Sequence, residues 1–68
     1  MIIKILEASQ FETAKQIIVD ALQKAGSKVG GIDTLDNTYV WTHGGYYKHA
    51  IKALKRNHIS FEELEKLP

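Results

Sequence analysis

The residues with the most chemical reach in this chain are four cations and three imidazoles gathered into one stretch. Residues 37–61 contain Lys48, Lys52, Lys55 and Arg56 together with His43, His49 and His58, and not one Asp or Glu. The flanks compensate. Residues 1–36 hold four Lys against five acids and residues 62–68 hold three Glu against one Lys, so the 68-residue chain carries a net charge of only +1. At 100° per residue on a helix, Lys48, Lys52 and Lys55 fall within about 60° of one another, with His49 and Arg56 at the margins. An acid-free cationic face suits a phosphate backbone or an acidic protein surface. The plainer account is a solvated amphipathic helix whose late Lys55 and Arg56 favour the negative end of the helix dipole. Against that account, solvated helix faces ordinarily mix signs, because opposite charges at i,i+4 stabilise them.

Four aromatic residues, Tyr39, Trp41, Tyr46 and Tyr47, lie within nine positions beside this stretch. Rings next to cations can stack on bases, each worth about 1–3 kcal/mol. The same rings can instead fill a small core, where one large side chain buries much area. Tyr47 falls on an apolar stripe and is expected in the core, while Tyr46 is expected at the surface. Tyr39 and Trp41 alternate onto one strand face, so they are buried together or exposed together. The candidate binding site for nucleic acid or an acidic partner is therefore Lys48, Lys52, Lys55, Arg56, His49, Tyr46, Trp41 and His43.

Other chemistries find less support. His43-Gly44-Gly45 precedes a helix and could offer free backbone N–H groups to an anion. No P-loop or G-x-G-x-x-G pattern accompanies it, and a simple strand-to-helix turn explains it as well. The histidine spacings of six and nine do not put two on one helix face, and cysteine is absent, so no metal site and no cofactor are expected. His43 is the one nameable general base, as for RNA cleavage. No nucleophile–base–orienter spacing surrounds it, and Ser9 and Ser60 read as helix caps, so no catalytic residues are expected.

The elements that position these residues follow from periodicity. The chain is short enough to be one domain, residues 1–68, burying only about 60% of its unfolded surface. Without cysteine it has no disulfide or cysteine–zinc staple, and stability rests on the apolar core, with self-association as a further resource. The cysteine-free composition fits a cytoplasmic protein. The run Ile2-Ile3-Lys4-Ile5-Leu6 is too short for a signal peptide or a membrane span and reads as a central strand, apolar on both faces. Ser9-Gln10-Phe11-Glu12 is a capping box opening a helix to about Ala25. In that helix Phe11, Ala14, Ile18, Ala21, Leu22 and Ala25 fall on one stripe at 3.6-residue spacing, and Gly26 suits the position that ends it. Residues 27–42 read as β, with a turn or bulge at Gly30-Gly31 and a hairpin turn at Asp36-Asn37. A second helix runs from about Gly45 to Asn57 with Tyr47, Ala50, Ile51 and Leu54 inward. Ser60-Phe61-Glu62-Glu63 is a second capping box, predicting a short third helix to about Leu67.

The expected fold is α+β, in the order β-α-β-β-α-α, with a three-stranded, mainly antiparallel sheet and helices on one face. The last two helices could be read as a helix-turn-helix, but the recognition helix would be acidic and would repel phosphate. The segment Tyr46 to Leu67 is faintly similar to the C-terminal part of small double-stranded-RNA-binding-like toxins of the HicA type. Those carry a Gly-x-x-His-like element on a strand before a helix. Here His43 precedes Gly44 and Gly45, so no residue role is carried over.

The expected function is a small non-catalytic binding module, nucleic-acid binding or regulatory, acting through a basic helix over about residues 45–57. Its partners would be DNA or RNA, or an acidic protein surface, and no membrane. One alternative is a protein–protein interaction module, an inhibitor or adaptor of phage or mobile-element type, able to form a homodimer. The other is a small RNase using His43.

Overall fold

A computed structural model describes residues 1–27, 31–43 and 45–68. Strand β1 (Ile2–Ile5) leads through a single 3-10 turn at Ala8–Gln10 into helix α1 (Phe11–Lys24). The hairpin β2 (Ile32–Leu35) and β3 (Tyr39–Thr42) follows, then helix α2 (Tyr47–Arg56) and strand β4 (Phe61–Leu64). The sheet is four-stranded and antiparallel in the order β2-β3-β1-β4. This βαββαβ connectivity is the split βαβ, or ferredoxin-like, arrangement. It places β1 and β3 centrally, and the central position of β1 is the one expected from its Ile-rich run.

The third helix expected after Asn57 is instead β4, and the sheet has four strands where three were expected. Phe61–Leu64 pairs with the whole of β1, Ile5 opposite Phe61 and Ile2 opposite Leu64. A cap contributes about 1 kcal/mol, and a helix of one or two turns barely repays its own nucleation. Pairing the open edge of β1 satisfies its row of backbone groups and brings Phe61 against the core. Neither capping box forms. The residue before α1 is Gln10, with no side-chain cap bond. Gln10 instead uses its Oε1 to accept from the Ser60 N–H at 3.5 Å, beside a backbone bond from the Leu6 N–H to the Ser60 carbonyl at 3.0 Å.

Both helices end in the same way. Beyond α1 the Gly26 N–H reaches the Gln23 carbonyl and the Ser27 N–H reaches that of Leu22, with Gly26 at φ 96°. Beyond α2 the His58 N–H reaches Lys55 and the Ile59 N–H reaches Leu54, with His58 at φ 58°. Each is a Schellman motif, which requires a left-handed residue at its bend. Glycine supplies it in the first, and histidine supplies it under some strain in the second. The hairpin turn is as the sequence reads it, with Asp36 at φ 55°, Asn37 at φ 49° and the Thr38 N–H bonded to the Leu35 carbonyl at 3.1 Å. Gly30, Gly44 and the glycine turn or bulge expected at 30–31 lie wholly or partly outside the described residues.

The core lies between one face of the sheet and the helices. Ile3, Ile18, Leu22, Val40 and Leu54 are fully buried there, joined by Phe11, Ala14, Ala50 and Ile59. Burial of each large aliphatic contributes about 1.5–3 kcal/mol. Register assigns the two sheet faces. Ile3 pairs with Val40 on the helix side, whereas Lys4 pairs with Tyr39 and with Glu62 on the other. Asp33 opposite Trp41 and Leu35 opposite Tyr39 share that open face with Ile2 opposite Leu64.

Candidate functional site

Helix α2 carries the cationic ridge. Its inner side buries Ala50, Ile51, Ala53 and Leu54, which turns Lys48, His49, Lys52, Lys55 and Arg56 outward, all exposed. Among the described residues the ion pairs are Lys15–Glu12 at 3.2 Å and His43–Asp33 at 2.7 Å. The cations of α2 therefore have no carboxylate partner, and their field is directed at solvent.

Two shallow clefts flank this ridge. On one side a groove of about 230 Å³ runs between the helices, floored by Ala21, Ala25 and Ala53 and rimmed by Lys24, His49, Lys52 and Arg56. Small residues at the helix contact open the groove and bring the α1 cation Lys24 alongside those of α2. Lys24 has no role in the sequence reading, because it lies 24 positions from Lys48 in a segment of net negative charge. Its position in the last turn of α1 was legible, but the α1–α2 packing was not. On the other side, a cleft formed by Tyr47, Ile51 and Glu63 is bordered by Lys48, Lys52 and Lys55. The acid that lines the second cleft, Glu63, and Asp20 of α1 are each engaged by a neutral donor. Tyr47 Oη donates to Glu63 Oε1 at 2.8 Å, and Gln16 Nε2 donates to Asp20 Oδ1 at 3.0 Å. Burial, then the hydrogen bond to Glu63 and its negative charge, push the Tyr47 hydroxyl well above the usual tyrosine range.

The remaining candidate residues divide. Tyr46, expected at the surface, is half-buried against the core, its ring centroid 6.2 Å from that of His49 and tilted 41° to it. It precedes α2, and its carbonyl accepts from the His49 and Ala50 N–H groups. Trp41 and His43 do not join the ridge at all. Trp41 lies half-buried on the open face of the sheet, and the exposed His43 is tied to Asp33 of β2. The helices occupy the opposite face, so the expected site is two separate surfaces. Tyr39 and Trp41 share a face, as strand alternation requires, and that face is the open one.

The His43–Asp33 pair orients an imidazole, which is the third member missing from a catalytic spacing read along the sequence. No serine, threonine or tyrosine hydroxyl is hydrogen-bonded to His43 among the described residues. No group of three or more His, Cys, Asp or Glu that could hold a metal occurs among them either. His58 is accounted for by the bend after α2. No helix among the described residues is long and apolar enough to cross a membrane. Set against family models, curated proteins and solved structures, the chain shows no match to any of them.

Proposed function

We propose that this chain is a small non-catalytic nucleic-acid-binding module whose contacts run to phosphates from the helix layer. The observation that carries the reading is the grouping of Lys24, Lys48, Lys52, Lys55 and Arg56 around one helix with no carboxylate partner among the described residues. Five unpaired cations set along a ridge match a backbone that presents regularly spaced charge. The half-buried tyrosines of this layer leave little ring surface for reading bases, so the expected binding is of low sequence specificity.

The experiment is a titration with duplex DNA, single-stranded DNA and structured RNA at about 50 and about 200 mM salt. Four or five phosphate contacts on duplex predict a loss of roughly a hundredfold or more in affinity between those concentrations. No binding above background at the lower salt would sink the reading. An acidic protein surface would fit the same ridge, and salt-dependent capture by a polyanionic peptide without nucleic-acid binding would favour it instead.

A further inference from the structure

The side of the sheet away from the helices does not look like a surface meant for water. An antiparallel sheet with one solvated face normally alternates apolar-in with polar-out. Here the outward positions of all four strands include Ile2, Leu35, Tyr39, Trp41 and Leu64. Leu35 is 41% exposed, Leu6 at the end of β1 is 46% exposed, and Ile2, Tyr39, Trp41 and Leu64 are partly exposed. Tyr39 and Trp41 stand two residues apart on a central strand, so the rings lie in the middle of this face. A contiguous apolar surface centred on aromatic rings marks a site of association.

The charges on this face choose the occupant. Polyanion-binding platforms of this kind pair rings with a positive groove. Here Lys4 lies beside Glu62 on β4, and the remaining groups are Asp33 and the His43 bound to it. Among the described residues, two acids set against one lysine and one histidine leave no positive field for a phosphate chain. Such a face, near neutral with Lys4 and Glu62 on adjoining strands, is complementary to itself, as a two-fold interface demands. We propose that it is the contact surface for a second copy of this chain, joined sheet to sheet with Trp41 and Tyr39 at the centre. Layer order then leaves both basic ridges on the outside, so one dimer presents two cationic surfaces facing away from each other. Association through the sheet does not depend on what those ridges bind.

Size sets the strength. The two longer dimensions of the chain, 28 and 23 Å, limit a flat contact to about 500 Å² of footprint per copy. That is the low end of specific interfaces, so the dimer forms in the micromolar range or weaker and dissociates on dilution. Trp41 is the only tryptophan, so its emission reports this face in the unaltered protein. Sedimentation velocity and Trp41 emission are recorded together across a dilution series from millimolar to submicromolar. The expected result is a monomer–dimer equilibrium, with emission shifting to the blue in step with dimer, and a Tm that rises with concentration. Trp41→Lys should weaken association about thirtyfold or more, and Leu35→Lys provides a second variant should the first fail to fold. Lys52→Glu, on the helix layer, should leave association unchanged. A monomer at every concentration would overturn the proposal, as would a dimer whose formation leaves Trp41 emission unmoved. Quenching of Trp41 by single-stranded oligonucleotide in a monomeric protein would overturn it in favour of base stacking.

Discussion

Two side chains, Tyr47 and His58, do work that their positions in the sequence do not announce. Tyr47 was legible as a core residue from its place on the α2 stripe, and it does pack against the core. Its hydroxyl also crosses to β4, donating to Glu63 at 2.8 Å. An unfolded tyrosine loses its proton near pH 10, whereas burial and Glu63 hold the folded one protonated beyond that. Above about pH 10 the unfolded chain thus binds fewer protons than the folded chain, and stability falls as pH rises. Urea unfolding followed between pH 8 and 11 should show that decline, and Tyr47→Phe should flatten it relative to the unaltered protein. His58 occupies a left-handed conformation that favours glycine. His58→Gly should raise stability by about 0.5–1 kcal/mol, seen as a thermal midpoint higher by a few degrees. A lower midpoint would mean that the imidazole makes a contact that offsets the backbone strain.

At the scale of elements, α2 is the part the sequence describes best and β4 the part it describes worst. In α2, the apolar stripe and the cations separate cleanly at a period of 3.6, and no competing pattern exists. In β4, Phe61 and Leu64 stand three apart behind Ser60, which is the spacing of a helix turn. A strand reading requires knowing that β1 has an unpaired edge, and no local pattern carries that information. The cationic surface divides in the same manner. Lys48, Lys52, Lys55 and Arg56 are legible from one helix, whereas Lys24 joins them only because the small residues Ala21, Ala25 and Ala53 open a groove between the helices. Lys24→Ala and Lys52→Ala should each reduce the dependence of log affinity on log salt by about one. Trp41→Ala, measured where the protein is monomeric, should leave it unaltered, because that ring lies on the other layer. An equal effect at Trp41 would mean that one ligand spans both layers.

At the scale of the whole molecule, a two-layer fold of 68 residues has one core and little reserve. Stability for a domain of this size is about 3–10 kcal/mol. Leu54, fully buried, sits in the interior that sheet and helices share. Leu54→Ala should remove about 2–5 kcal/mol, enough to leave much of the protein unfolded at 37 °C by circular dichroism. The equivalent truncation at Leu35, on the open face, should change monomer stability little.

What the sequence by itself determined was local: the two helices and their inward stripes, the left-handed bend at Gly26, the Asp36-Asn37 hairpin, and the charge bias of residues 37–61. Each rests on periodicity or on backbone preferences that span a few residues. What only the tertiary structure decided was which surfaces these elements share. Trp41 and His43 are near α2 in sequence, yet the crossover from β3 to α2 sends them to the opposite side of the sheet. Lys24 is distant in sequence, yet helix packing brings it to the ridge. Contacts of that kind follow from how layers close over a core, and layer closure is a property of the whole chain.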